Sequence, residues 1–188
     1  LFAALEDANE HVRAWGVTLA AEANQRSEPL RRKLVGLSRD PAATVRLRLA
    51  SNAQREKLED GKAWARWLAQ NADDADDEYL PLMIWYAIQK NFNHDETPQP
   101  GVVRLFTVLG EAEIPLLRRF IARNRLLTAK SPDELSKRIE ELLMLSPLSR
   151  VDSKSITATE SVCAGILDAL QGTRDLPAPQ YWKGIYGT

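Results

Sequence analysis

The sequence is poor in the residues that most often carry out chemistry. A single cysteine, Cys163, leaves no internal disulfide and no multi-cysteine metal cage, and we expect it to be a small buried side chain. The two histidines, His11 and His94, lie far apart and in no metal-ligand spacing. No apolar run approaches the roughly 18 residues that span a bilayer. With nine glycines and ten prolines, the chain is not a linker or a disordered segment.

The net charge is also small, because the sequence has 25 basic and 26 acidic residues. The balance of −1 gives no bulk attraction to nucleic acid or to an anionic membrane, and we expect neither as a partner. The chain begins inside an apolar pattern over residues 1–5 and has no signal-peptide layout. We therefore expect it to be a piece of a longer protein.

The β-branched residues valine and isoleucine total 17, whereas leucine and alanine supply 26 and 24 residues. Leucine and alanine favour helices, and apolar residues recur at three- and four-residue steps, as in Val12, Trp15 and Leu19. The spacing predicts an all-α chain with helices over 9–23, 28–38, 41–55, 61–71, 77–92, 98–109, 113–128, 132–145 and 158–171.

Helix ends carry their own signals. Ser131 with Glu134, and Thr157 with Glu160, have the spacing of a capping box, which predicts that a helix begins at each. Gly172 stands just after a periodic run, where a glycine commonly ends a helix. We expect one helical domain over residues 1–172, then a tail over 173–188 with one short turn near Tyr181.

A spacing of about 33 residues repeats along the first half of the chain. An aspartate, four residues and then Val-Arg occur twice, as Asp7, Val12, Arg13 and as Asp40, Val45, Arg46. Asp74 follows 34 residues after Asp40, but the arginine is replaced there. Such a period predicts helical hairpins that stack and merge their buried faces. We expect both valines to be buried, and each arginine to reach the aspartate of the next unit.

The Asp-x-x-x-x-Val-Arg units resemble HEAT repeats, which implies a right-handed α-solenoid of about four to five antiparallel hairpins, an armadillo-type superhelix. A longer series of segments is similar to the helical-repeat region of large planctomycete-type proteins, often named membrane-bound dehydrogenases or haem-binding proteins. The segments are AWARW at 63–67, DDADDEYLPLMIWY at 73–86, IPLLRRFIAR at 114–123 and ILDALQG at 166–172.

The resemblance implies neighbours on the same polypeptide: a β-propeller similar to sugar dehydrogenases, this helical region, and a cytochrome c module. It also implies an extracytoplasmic, periplasmic location, since haem is attached covalently outside the cytoplasm. The Cys-x-x-Cys-His haem attachment is absent from this sequence, so we expect no cofactor here.

Three polar or aromatic groups are candidates for function. The acidic run over 73–78 can cap a helix or hold a cation such as Ca²⁺, although the EF-hand layout is missing, and we favour capping. The basic group of Arg118, Arg119, Arg123 and Arg125 can contact neighbouring acids or grip an acidic segment. Among the tryptophans, Trp64, Trp67 and Trp85 fit an inter-helix core or a ligand-stacking groove.

No catalytic or metal-binding residue is predicted, because no acid, base or nucleophile occurs in a catalytic arrangement. His94-Asp95 lacks a nucleophile beside it, and we expect a solvated turn. The sequence therefore predicts a non-catalytic scaffold that contacts other domains of its parent protein, or a protein partner, through Arg119, Arg123 and Trp85. The alternative is a HEAT-like DNA glycosylase, which would need a basic concave face that the acidic centre argues against.

Overall fold

The chain is helical throughout the part that the computed structural model describes, namely residues 1–23, 26–56, 58–92, 105–145 and 153–172. These residues form ten α-helices, two short 3-10 turns and no strand, which confirms the predicted all-α class for them. None of these helices is both long enough and apolar enough to cross a membrane. The helices are α1 (Phe2–Leu5), α2 (Glu10–Glu22), α3 (Glu28–Gly36), α4 (Ala43–Ala53), α5 (Leu58–Leu68), α6 (Leu80–Phe92), α7 (Leu105–Glu111), α8 (Pro115–Leu127), α9 (Pro132–Leu145) and α10 (Ser153–Leu170).

Helix boundaries follow some of the predicted signals and depart from others. Ser131 Oγ accepts the N–H of Glu134 at 3.2 Å, as its capping spacing predicts. Gly172 follows α10 with φ of 86°, the left-handed region that glycine enters at little cost. The predicted cap at Thr157 is wrong, because α10 begins at Ser153 and already runs through that residue. The prediction at 98–109 falls partly on 98–104, and the tail prediction on 173–188, outside the described residues.

The chain divides into two compact units, with the boundary between Ile114 and Pro115. The described part of the first unit contains α1 to α7, and that of the second contains α8 to α10. The single domain predicted over 1–172 stays a prediction.

The helices of the first unit lie in two rows. Helix α4 packs between α2 and α6, while α3 packs on α5, and α5 also contacts α4 and α6. In chain order, α1 and α2, α3 and α4, and α5 and α6 are three successive pairs of helices, and the second helix of each pair is the longer one. Apolar side chains fill the space between the rows, among them Val17, Leu34, Val45, Leu49, Trp64, Leu68, Ile84 and Ile88.

The second unit is built around the contact between α8 and α10, and α9 packs on both. Gly165 makes the close approach possible, because a Cβ there would overlap the carbonyl oxygen of Arg119 and crowd Ala122. Any larger residue would push the two helices apart. The core of this unit includes Leu117, Ile121, Leu142 and Val162.

Candidate interaction surface

Arg13 joins the first helical pair to the second. Its Nε and Nη2 donate to the two carboxylate oxygens of Asp40, each at 2.8 Å, in the bidentate geometry that suits a guanidinium. Its Nη1 donates to the carbonyl of Asp7 at 2.8 Å. Arg13 therefore bonds the backbone carbonyl of Asp7 in its own unit. It also bonds the carboxylate of Asp40 in the next unit, as the spacing predicts.

Arg46 repeats the arrangement one unit further along. Its Nε donates to Asp74 Oδ2 at 2.9 Å, its Nη2 pairs with Asp74 Oδ1, and its Nη1 donates to the carbonyl of Asp40 at 2.5 Å. The Arg46 and Asp74 side chains are only 6% and 1% exposed. We call the two arginines and the three aspartates Asp7, Asp40 and Asp74 the ladder.

Contacts within the ladder shift the pKa values of Asp40 and Arg46. Burial alone would raise the pKa of Asp40, but hydrogen bonds from Arg13 and from the N–H of Ala42, with the charges of Arg13 and Arg46, outweigh it and lower the pKa. The pKa of Arg46 is raised, chiefly by its hydrogen bond to Asp74. These hydrogen bonds and charges therefore favour the charged forms of Asp40 and Arg46.

Aspartates of the acidic run over 73–78 have two different structural roles. Asp77 Oδ1 accepts the N–H groups of Tyr79 and Leu80 at 2.8 Å and so caps α6, as predicted. Asp74, predicted to cap or remain solvated, is instead buried against Arg46, because its place in the repeat puts it one unit beyond that arginine. Asp73 and Asp76 are exposed. In the second unit of the repeat, Asp40 pairs with Arg13, and its Oδ1 also accepts the N–H of Ala42, the residue just before α4.

The prediction that both repeat valines are buried holds for one of them. Val45 is fully buried, but Val12 is 39% exposed, so the prediction for Val12 is wrong. Helix α4 has extensive contacts with α2, α5 and α6, whereas α2 has such contacts only with α4 and the four-residue α1 in the described part of the chain. The apolar stripe of α2 therefore lies at the surface, with Trp15 65% and Leu19 54% exposed.

The predicted contact residues fall in both units. Arg119 and Arg123 lie one turn apart on α8, and Trp85 lies half-buried on α6. Arg119 Nε and Nη2 donate to Asp168 on α10 at 2.6 and 2.9 Å, and this pair is partly exposed to solvent. The hydrogen bond from Arg119, with the charges of Arg119 and Arg123, lowers the pKa of Asp168.

Other members of the predicted groups also serve packing. Arg125 Nη2 lies 3.4 Å from Glu141 Oε2, so this member of the basic group contacts a neighbouring acid, one of the two roles that the sequence leaves open. Trp64 is buried, which confirms its place in the core, whereas Trp67 is half-buried between the guanidinium groups of Arg39 and Arg66, 4.3 and 5.2 Å from its ring centre.

Groups that could support catalysis are sparse in the described residues. The His11 side chain is 72% exposed beside Glu10, and Cys163 is half-buried rather than buried. No three histidine, cysteine or carboxylate side chains of the described residues are grouped as a metal ion requires. His94 and Asp95 lie outside the described residues.

Comparisons with known proteins do not assign the chain to a family. The chain matches no protein-family model, no curated protein and no solved structure. The resemblance to HEAT repeats and to the planctomycete-type dehydrogenases stays a prediction, and function has to be argued from the geometry above.

Proposed function

We propose that this chain is a non-catalytic scaffold, built as a HEAT-like, right-handed α-solenoid of about four to five helical hairpins. The observation that carries the proposal is the ladder, in which equivalent arginines make equivalent contacts. Each bonds the carboxylate of the aspartate 27 or 28 residues ahead and the backbone carbonyl of the aspartate six residues back. A motif that repeats with its contacts intact is typical of stacked repeats. The rows formed by α2, α4 and α6 and by α3 and α5 support the same architecture.

The scaffold role follows from how such a stack distributes its contacts. Each hairpin packs on its neighbours, so the array is rigid locally and offers a long surface whose side chains are not needed for the core. The buried ion pair of Arg46 and Asp74 fixes the register between two hairpins. Buried polar pairs tolerate little displacement, because a shift would leave a charge unpaired.

The partners proposed are other domains of a parent protein, namely a sugar-dehydrogenase-like propeller and a cytochrome c module, in an extracytoplasmic compartment. Arg119, Arg123 and Trp85 are the proposed contact residues. The partial exposure of the pair between Arg119 and Asp168 supports this, since both groups can reach a partner. Arg119 is already paired, so a partner would have to share it or displace Asp168.

Binding to the two neighbouring domains tests the proposal. The purified chain is titrated with separately expressed propeller and cytochrome domains of the kind proposed above, and we expect saturable binding that Arg119→Glu weakens at least tenfold. Arg32→Glu on α3 makes the same charge change at an exposed site and should leave binding unchanged. Absence of binding, or equal loss in both variants, would contradict the assigned surface.

A parallel assay tests the absence of catalysis. The chain is offered sugars with a dye acceptor, and DNA that contains alkylated bases, with the Arg119→Ala variant as the control. We expect no turnover in either assay. Base release that is lost in Arg119→Ala would replace the scaffold proposal with the glycosylase alternative.

A further inference from the structure

We propose that one side of the row formed by α2, α4 and α6 binds an acidic segment of a protein partner, one that also carries aromatic or apolar side chains. We call this side the open face and define it by Trp15 on α2, Arg48 on α4, Arg55 in the turn after α4, and Leu82 and Tyr86 on α6. The inference rests on the proposed scaffold role, but the surface and the chemistry of the partner are new.

The repeat places these side chains on the same side of the row. Helix α4 packs between α2 and α6. Thr44 Oγ1 donates to Glu10 Oε1 at 3.1 Å, and these residues are 34 apart in sequence, so α2 and α4 lie side by side in register. Trp15, Arg48 and Leu82 follow one another at offsets of 33 and 34 residues and so occupy the same position on their helices. All three are exposed, so this position points away from the core between the two rows.

The two arginines of the open face are unpaired, unlike the others of the first unit. Arg48 and Arg55 are exposed, and neither side chain makes a hydrogen bond, an ion pair or a ring contact with the part of the chain that the structure describes. The other described arginines of the first unit each have a carboxylate or a tryptophan ring as partner, and they are Arg13, Arg26, Arg31, Arg32, Arg39, Arg46 and Arg66. Contacts that stabilise the fold therefore do not account for the two arginines of the open face.

The spacing of these two arginines indicates the chemistry of the partner. The turn after α4 keeps Arg55 close to the helix, because its N–H donates to the carbonyl of Asn52 at 2.8 Å. Arg48 precedes it by about two helical turns, which separates the two residues by roughly 10 Å along the helix axis. A guanidinium donates two parallel hydrogen bonds to a carboxylate, and such charge-assisted pairs are strong. A peptide segment with two acidic residues at a similar separation satisfies both arginines.

Apolar side chains flank the arginines on both neighbouring helices. Trp15 is 65% exposed on α2, and Leu82 and Tyr86 are 39% and 46% exposed on α6. Tryptophan, tyrosine and arginine are the residues that most often anchor a protein interface. The open face therefore has two charges in its middle and apolar anchors at its edges, which suits an acidic segment with aromatic or apolar residues.

Other occupants fit the open face less well. Glu22 is exposed on α2 at the position equivalent to Arg55, and Glu78 is exposed just before α6. These carboxylates repel nucleic acid and anionic lipid, whose many phosphates need a continuous basic surface. A second copy of the chain that used the same face would bring arginines against arginines across a two-fold axis.

Binding of an acidic polymer tests the inference. The probe is a fluorescently labelled random copolymer of glutamate and tyrosine, compared with polyglutamate, oligothymidylate and phosphatidylserine vesicles at the same low salt concentration. We expect saturable binding of the copolymer to the purified chain. Polyglutamate should bind more weakly, because it has no aromatic groups for the apolar edges, and oligothymidylate and the vesicles should bind more weakly than the copolymer too.

Substitutions on and off the open face provide the contrast. Arg48→Glu and Arg55→Glu should each weaken copolymer binding about tenfold, since each replaces an attraction with a repulsion. Trp15→Ala should weaken it less, by about threefold, because it removes an anchor but no charge. Arg32→Glu makes the same charge change on α3, in the other row, and should leave copolymer binding unchanged. All four side chains are exposed, so the melting temperatures of the variants should stay close to that of the natural chain.

Three results would overturn the inference. They are the absence of saturable copolymer binding, an equal loss of binding in Arg32→Glu and Arg48→Glu, and tighter binding of oligothymidylate or of the vesicles than of the copolymer. The proposed scaffold role is tested separately, by the effect of Arg119→Glu on binding of the two neighbouring domains. If Arg119→Glu weakens that binding and Arg48→Glu leaves copolymer binding unchanged, only the inference about the open face fails.

Discussion

Helices α2 and α4 carry the same Val-Arg pair after the same aspartate spacing, yet their environments differ. Val45 is buried and Arg46 lies in a nearly solvent-free ion pair, while Val12 is exposed and Arg13 is partly so. The shared motif cannot account for the difference, because it is the same in both helices. What differs is the neighbour, since α4 has a full helix on each side in its row and α2 has one. In a repeat, the motif defines contacts, and position in the array decides how deeply they are buried.

The largest expected effect on stability comes from removing Asp74 from its buried ion pair with Arg46. Asp74→Ala leaves Arg46 buried and without its carboxylate, and breaking such a pair costs about 3–5 kcal/mol. Chemical denaturation of the variant measures the loss. Asp73→Ala, at the exposed neighbouring position, should change the free energy of unfolding by less than about 0.5 kcal/mol. Equal effects at the two positions would show that the ion pair does not form.

The two valines give the next largest contrast. Val45→Ala removes two buried methyl groups and leaves a small cavity, so the free energy of unfolding should fall by about 1–3 kcal/mol. Val12→Ala should cost less than about 0.5 kcal/mol, because its side chain is already exposed. Denaturation of the two variants under the same conditions is the measurement. A larger loss at Val12 than at Val45 would reverse the assignment of core and surface.

Acid should weaken the ladder at Asp40. Because the pKa of Asp40 is lower in the folded chain than in the unfolded one, its contribution is fully present above the unfolded value of about 3.9. That contribution is lost as the pH falls through the folded pKa. Asp40→Asn should therefore destabilise the chain at neutral pH and flatten the loss of stability at acidic pH. Arg13→Gln should flatten it too, and an unchanged acid profile in both variants would contradict the lowered pKa.

The smallest effect is expected for the pair in the second unit. Arg119 and Asp168 are partly exposed, so solvent and salt screen their attraction. Arg119→Gln should change the melting temperature far less than Arg46→Gln, and the small change should vanish in 1 M salt. A fall in melting temperature as large as that of Arg46→Gln, and unchanged in 1 M salt, would show that Arg119 stabilises the fold as strongly as Arg46 does.

Sequence patterns predicted the contacts of this chain better than its burial. The Asp-x-x-x-x-Val-Arg spacing predicted that Arg13 and Arg46 reach the next aspartate, because those contacts are defined by the repeat itself. The same pattern placed Val12 in the core, since an apolar stripe reads alike whether or not a neighbour covers it. Trp15 was missed as a surface residue for that reason.

The acidic run illustrates a second limit. Asp74 and Asp77 stand in one stretch of like residues, and local composition favours capping for both. Only the 34-residue offset from Asp40 marks Asp74 as the partner of Arg46, and that offset predicts the ladder contact but not its burial. The pairing of Arg119 with Asp168 had no local signal, because those residues are 49 apart and meet only through the packing of α8 on α10.

The central claim is that the ladder couples each helical pair to the next, and a double-mutant cycle tests it most directly. The single and double substitutions Arg46→Ala and Asp74→Ala should show a coupling of about 1–3 kcal/mol, as expected for residues in one ion pair. The mismatched cycle of Arg13→Ala with Asp74→Ala should be additive within about 0.5 kcal/mol, because those residues belong to different steps of the ladder. Additivity in the matched cycle, or equal coupling in both, would contradict the account.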